Sequence, residues 1–381
     1  MPGKQIEGLF RRSSSLVPTP SLFDALTIFF GLSGRDIHIF NHDRISAYEA
    51  SVGFYTDHPD VSRRIMEHQR RDFAHYLQGR NLVFVMERFK KNLASELSAA
   101  SEVGHDWGRI PDLFSFLSNL ILRANVEALY GEHLLRICPT FCQDFWNFYK
   151  AFPNISKGLP RWLVPSSYQA RDEMHKSFDR WRTWCSENYN WDNDGLRDIE
   201  YEPIWGTQYV RKMIQRHEAL GLSNNGVAVV MLGYFFVYVH DLPSGKPQHP
   251  LEGFWAERFL DCPGSSSISG PAKKKRVQPV RKSPQRPTTQ METEDAPSKA
   301  SVAGLRGHFF PFGGGAFRCP GETLAKHVIF ASVAMVLQSH DLRLIDPVEA
   351  RKIEPGHREL PFGLHSFDKP VPVEICKLSE T

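Results

Sequence analysis

At 381 residues, the chain has room for one large domain or two ordinary ones at roughly 150 residues each, so it is neither a peptide nor a small stapled scaffold. Its 41% apolar, 12% aromatic and 23% charged residues exclude a wholly disordered chain. The net charge of +3 argues by itself neither for nor against nucleic acid, and it hides an imbalance. Residues 263–300 hold eight Lys/Arg (Lys273, Lys274, Lys275, Arg276, Arg281, Lys282, Arg286, Lys299) against Glu292, Glu294 and Asp295, a local +5 that leaves the rest of the chain at −2. The basic surplus is one segment rather than a binding face, and no nucleic-acid partner is expected.

Residues 1–20 read as a flexible N-terminus: Lys4, Arg11 and Arg12 have no apolar core behind them, unlike a signal peptide or an anchor. Residues 21–262 read as a helical body with a small N-terminal sheet. In its first part, Asp36, Ile37, His38, Ile39 and Phe40 alternate polar and apolar as a half-buried strand does. From Pro59 to Ser98 the pattern turns helical, with Leu82, Val85, Phe89 and Leu93 at three- or four-residue steps. Further helices are expected over 112–129, 140–150 and 167–188, separated by turn signals such as Gly158-Leu-Pro160. Trp162, Trp181 and Trp184 are expected to be core aromatics. The longest apolar run, 226–239, has 14 residues, short of the roughly 18 that mark a spanning helix.

Residues 263–300 change character, with six prolines and only Ile268, Val277, Val280 and Met291 as sizeable apolar side chains. They read as a disordered, basic Pro/Ser-rich insertion. Within it Lys273-Lys-Lys-Arg276 has the look of a nuclear-import signal, although a charge run of this kind is ordinarily only solvated. Residues 301–381 supply a glycine-rich loop, then a helix with Leu324, Val328, Ala331 and Met335 on one face, then a strand at Val371-Pro-Val-Glu-Ile375. The six cysteines (Cys138, Cys142, Cys185, Cys262, Cys319, Cys376) form no Cys-x-x-Cys pair. That usage suits a reducing compartment, with most of them inert thiols.

The stretch that carries chemistry is Phe312-Gly313-Gly314-Gly315-Ala316-Phe317-Arg318-Cys319-Pro320-Gly321. Consecutive glycines let backbone approach a large flat ligand without Cβ clashes. Pro320 suits the first helical position. A sulfur just before a helix N-terminus feels the positive end of the dipole, which favours the ligating thiolate. Phe312 packs apolar surface beside that sulfur.

This loop resembles the haem-ligand loop of the cytochrome P-450 family, Phe-x-x-Gly-x-x-x-Cys-x-Gly, at Phe312, Gly315, Cys319 and Gly321. Phe254-Trp-Ala-Glu-Arg258-Phe259 is similar to the family's Pro-Glu-Arg-Phe region, in which Arg258 would join a buried ion network. Glu127-Ala-Leu-Tyr-Gly131 and the stretch from Phe145 to Trp162 resemble the branch that includes prostacyclin synthase, sterol 7-alpha-hydroxylase and many fungal enzymes.

The resemblance implies a mainly α fold with small β-sheets, internally truncated. It implies haem b (iron protoporphyrin IX) with Cys319 as axial iron ligand, and Phe312, Gly315, Arg318 and Gly321 around the cofactor. Where the family often has Arg or His two residues before the cysteine, Phe317 stands here, and Arg318 is the nearest cation. The implied reaction is monooxygenation of an apolar small molecule such as a sterol, terpenoid, fatty acid or other secondary metabolite, with electrons from an NADPH-dependent cytochrome reductase. The implied location is the cytoplasmic face of the endoplasmic reticulum, with peripheral membrane contact, or the soluble phase. No protein side chain is assigned a catalytic role beyond the haem.

Two family features are missing. The candidate central helix, 226–237, has no Asp, Glu, Ser or Thr, so the acid-Thr pair that delivers protons to oxygen is absent from it. The Glu-x-x-Arg helix has no room between Asn224 and Trp255, and Glu67-His-Gln-Arg70 falls too early in the chain to replace it. Without those partners Arg258 would be stranded, at a cost of about 3–5 kcal/mol. Two alternatives follow: a haem-thiolate isomerase or dehydratase acting on a peroxide without a reductase, or, from another class, a truncated, catalytically silent haem-binding remnant or a binding protein that uses 263–300 as a nuclear or acidic-partner tail. His327, eight residues after Cys319, reads as a surface or capping residue.

Overall fold

The computed structural model describes residues 8, 25–39, 65–190, 199–239, 260–261, 299–300, 312, 319, 321–353 and 367–378. The chain divides into two units. The first, Met1–Arg11 with Pro243–Pro311, contributes an antiparallel pair, β4 (Leu260–Asp261) with β5 (Lys299–Ala300), in which Leu260 lies opposite Ala300. The second, Arg12–Leu242 with Phe312–Thr381, contains the helical body and Cys319.

The helical body follows from apolar stripes at helical spacing. Helix α1 (Ile65–Tyr76) leads into α2 (Gly79–Ala99), which buries Leu82, Val85, Met86, Phe89, Leu93 and Leu97. A short strand, β1 (Gly108–Ile110), separates α2 from α3 (Leu113–Tyr130), which lies along α2. Asp112 caps the start of α3 by accepting from the Ser115 N–H, and Gly131 ends it at φ +79°. Helix α4 (His133–Ile137) connects to α5 (Phe141–Ser156), which packs on α6 (Pro165–Asn188). A hairpin of β2 (Tyr201–Glu202) and β3 (Gly206–Thr207) precedes α7 (Gln208–Ala219). Arg88 from α2 clamps this region, donating to both oxygens of Glu200 at 2.5 and 2.6 Å with its guanidinium 4.4 Å from the Tyr201 ring centre.

Helix α8 (Asn224–Val239) has no polar stripe, and a helix apolar all round belongs inside a protein. The burial agrees: Val227, Val229, Val230, Met231, Leu232 and Phe236 are sealed from solvent. Gly233 permits the close approach of an upstream segment, since a Cβ there would sit 3.3 Å from Leu26 and 3.4 Å from Phe30. Phe30, Phe148, Phe152 and Phe236 form one aromatic cluster, with the Phe152 and Phe236 rings stacked at 4.4 Å.

Two sequence expectations are corrected here. The alternation at 36–40 predicts a strand, yet 35–39 form a helical turn, Phe40 lies outside the described residues, and no strand precedes Gly108 among the described residues. The reason is tertiary: the buried Asp36 carboxylate accepts from the Ser223 N–H at 2.8 Å and the Ser223 hydroxyl at 2.5 Å, capping the entry to α8. The three tryptophans are not one core cluster either. Trp181 is fully buried and Trp184 stacks on His133 at 4.6 Å, but Trp162 is 81% exposed in the turn between α5 and α6, beside the exposed Leu163.

Downstream, α9 (Glu322–Ser339) packs on α2 and runs directly into β6 (His340–Leu344), followed by α10 (Pro347–Ala350) and, last, β7 (Val373–Lys377). An antiparallel sheet in the order β1, β7, β6 closes the unit, with Ile375 opposite both Gly108 and Leu342. No helix among the described residues is long and apolar enough to cross a membrane.

Two buried histidines make the fold acid-sensitive. Burial, with Arg216 adding repulsion, pushes the His217 pKa down to about 3; burial and then Arg171 push His175 down to about 4. Both rings are neutral when folded and take up protons near 6.5 when unfolded. Their contribution is therefore complete above about pH 6.5 and is lost as pH falls toward the folded values. Between about pH 8 and 5 each is expected to cost about 2 kcal/mol. Urea midpoints measured at both pH values should fall accordingly, and His217→Phe should flatten the fall by about half; a midpoint that rises toward pH 5 contradicts this.

Candidate functional site

Cys319 lies just before α9 and is hydrogen-bonded to Phe312. The Cys319 N–H donates to the Phe312 carbonyl at 2.9 Å, and Phe312 is buried at 6% exposure. Gly321 is the N-cap of α9, and its N–H donates to the Cys319 Sγ at 3.3 Å. The Glu322 N–H donates to the Cys319 carbonyl at 3.4 Å. The sulfur thus sits at the positive end of an 18-residue helix and accepts an N–H, and both features favour negative charge on it.

The other described cysteines contrast with it. Cys138 and Cys185 each donate an S–H to a carbonyl, of Ser177 and of Ile204, a role open only to the protonated thiol. Burial pushes the Cys142 thiol up to about 12 and raises Cys138 and Cys185 as well. Cys376 is buried in β7, whereas Cys319 is only half-buried. Of the five described thiols, Cys319 combines access, an N–H donor on sulfur and a helix N-terminus. That donor set fits a single axial thiolate ligand, the group the haem loop requires.

Of the residues singled out from sequence, the structure brings Phe312, Cys319 and Gly321 together. Gly315, Arg318 and Arg258 lie outside the described residues, as do Pro320 and the Lys273–Arg276 run. Glu67 and Arg70 fall on α1, with their side chains outside the description. His327 is exposed, its Nδ1 2.7 Å from the carbonyl of Thr323 on its own helix, a surface position as expected. Sequence reasoning passed over Glu322 and Lys326. The Lys326 ammonium donates to Glu322 Oε1 at 2.5 Å and lies 5.4 Å from the Phe312 ring centre. The signal was present, since Glu and Lys four apart are a standard helical pair.

No family model matches the chain. Curated relatives do. The chain is 34% identical over 152 residues to the cytochrome P450 monooxygenase fsoE of Humicola fuscoatra, a match covering 39% of this chain and 26% of that protein. It is 22% identical to the cytochrome P450 monooxygenase efuG of Hormonema carpetanum, covering 88% of this chain and 74% of the relative. It is 21% identical to the cytochrome P450 monooxygenase calL of Penicillium decumbens, covering 90% and 76%. The matched span with fsoE is thus about a quarter of that protein's length. The other two alignments run over 448 and 410 positions, longer than the 381-residue chain, so each passes over positions of the relative that this chain lacks. The helical body, the small antiparallel sheets and the loop at Cys319 agree with these relatives, and the chain is similar to fungal cytochrome P450 monooxygenases.

Proposed function

We propose that the protein is a haem-thiolate monooxygenase that places one oxygen atom of O2 into an apolar small molecule and releases the other as water. The observation that carries this reading is the Gly321 N–H aimed at the sulfur of Cys319. Bound through that sulfur, haem b would supply oxygen activation, with electrons drawn from an NADPH-dependent reductase. The protein's own part begins with the ligand. The Gly321 N–H and the α9 N-terminus stabilise negative charge on the sulfur, the Phe312 carbonyl holds the Cys319 backbone, and the buried Phe312 ring keeps apolar surface in the loop. Gly315 and Arg318 complete the loop in this reading, and Arg258 serves the structural network.

An apolar substrate of the sterol, terpenoid or fatty-acid kind belongs to this reading through the resemblance of the Cys319 loop to the family's haem-ligand loop. The fungal relatives are named cytochrome P450 monooxygenases, which supports monooxygenation as the reaction.

A second reading rests on the candidate central helix, α8. Without Asp, Glu, Ser or Thr, α8 holds no acid-hydroxyl pair for proton delivery. A haem-thiolate isomerase or dehydratase acting on a peroxide needs neither that pair nor a reductase. Purified protein, reduced and exposed to carbon monoxide, is expected to show the red-shifted Soret band of a thiolate ligand. A folded protein with a featureless spectrum sinks both readings. Turnover of an organic peroxide without NADPH selects the second, and reductase-dependent oxygen uptake with an apolar substrate selects the first.

A further inference from the structure

Lys326 is not part of the motif that marks the haem loop, yet it sits one helical turn beyond Glu322, at the start of α9. Its ammonium is held by the Glu322 carboxylate at 2.5 Å and stands over the face of Phe312, 5.4 Å from the ring centre. Phe312 is the residue whose carbonyl receives the Cys319 N–H. Glu322 in turn touches Cys319 through its own backbone N–H. The pair therefore grips the cysteine from two sides, once through the ring of Phe312 and once through the first turn of the helix. The Glu322 side chain is 11% exposed and that of Lys326 47%, so the carboxylate is the desolvated partner and the ammonium stands at the water boundary. A cation on an aromatic face at such a boundary is a weak contact, enough to hold a loop geometry although not a fold.

We propose that Lys326, oriented by Glu322, is a positioning residue for the axial thiolate, holding Phe312 and through it the Cys319 backbone, and that this ion pair sets the electron affinity of the bound iron. The proposal rests on the haem-thiolate reading of Cys319. Its electrostatic part follows from charge alone. Adding an electron to the haem-thiolate centre makes it more negative, so a nearby cation favours reduction and a nearby carboxylate opposes it. With both present the two influences largely cancel; removing either exposes the other.

The test compares Lys326→Met, Lys326→Arg and Glu322→Gln with the wild type, all loaded with haem, by redox titration and by the carbon monoxide difference spectrum. Lys326→Met is expected to lower the equilibrium constant for one-electron reduction about threefold, which is about 28 mV at 59 mV per tenfold. Glu322→Gln is expected to raise it by a similar factor, and Lys326→Arg to hold the wild-type value. Lys326→Met should also lose the red-shifted band about three times faster on standing. Opposite signs for Met and Gln are the signature of charge, because mere loosening of the loop moves both variants the same way. Equal or same-signed potentials overturn the proposal. Should Lys326→Met fold poorly, Glu322→Gln alone decides it through the sign of its shift. A wild-type protein without the red-shifted band sinks the haem-thiolate reading and this proposal with it, whereas a normal wild-type band with unmoved variants sinks the proposal alone.

Discussion

Cys319→Ala is expected to abolish the red-shifted carbon monoxide band and to lower haem retention by more than about 100-fold, while leaving the fold in place. Replacing a residue that only supports a metal ligand typically costs 10–100-fold in affinity, and removing the ligand itself costs more. No other described thiol can substitute. Cys138, Cys142, Cys185 and Cys376 are buried, and two of them already donate to carbonyls. The fold survives because Cys319 is half-buried and its structural bonds run through its backbone, from its N–H to Phe312 and from Glu322 to its carbonyl. Alanine retains both. A thermal midpoint within a few degrees of the wild type, beside a lost Soret shift, is the expected pair of results. Cys319→His sharpens the test: an imidazole can hold the iron but donates less charge, so haem should remain and the red shift should not. A red-shifted band in Cys319→Ala would move the ligand elsewhere and overturn the assignment of this loop.

Much of this was legible in the sequence, for identifiable reasons. Helices α3 and α6 form within a few residues of their expected bounds, α2 lies, but for its last residue, within the helical stretch expected from Pro59 to Ser98, α5 continues past its expected end at Lys150 to Ser156, and α9 carries the expected apolar face. Helix α8 was legible as an unbroken apolar run because burial on every side leaves no polar stripe. Phe312, Cys319 and Gly321 were singled out together by their resemblance to a haem-ligand loop, and hydrogen bonds from the Cys319 N–H to Phe312 and from the Gly321 N–H to the Cys319 sulfur join them in the fold. What sequence could not supply was set by distant partners. The alternation at 36–39 fits a strand until Asp36 meets Ser223, 187 residues away, and the polar side chain turns inward. The exposure of Trp162 depends on where the turn after α5 emerges, which composition does not encode. The closing sheet joins β1 to β7 across most of the chain, a register no local pattern contains. The Glu322–Lys326 pair was readable as a helical pair, but its seat over Phe312 arises only in the folded chain.

Gly206→Ala is expected to destabilise the body by about 4 kcal/mol or more, through backbone rather than side chains. Gly206 lies at φ +80°, and a Cβ there would fall 2.3 Å from the Leu129 carbonyl oxygen and 2.6 Å from both the Gly131 nitrogen and the Tyr130 carbonyl carbon. Its counterpart Gly131, at φ +79°, would meet the Pro203 oxygen at 2.7 Å. The end of α3 and the β2–β3 hairpin therefore cross at van der Waals contact, and neither backbone has a flexible side chain to give way. The crossing is stitched by buried bonds. The Thr207 hydroxyl donates to the Leu129 carbonyl at 3.0 Å, and Arg211, 1% exposed, donates to the Gly206 carbonyl at 2.6 Å and to that of Ile199. Trp205 lies fully buried beside them, edge-on to Trp181 at 5.3 Å. A left-handed conformation costs a non-glycine residue about 1–2 kcal/mol, overpacking about 1–3, and a buried bond left unmade about 1–3. Against a native stability of about 5–15 kcal/mol, the sum leaves little folded protein. Gly221 separates these causes, because it has the same φ of +80° and a Cβ there would meet nothing within 4 Å. Gly221→Ala should cost only the conformational part, about 1–2 kcal/mol. If urea unfolding finds the two variants equally impaired, the close crossing of α3 and the hairpin is not what requires glycine at 206.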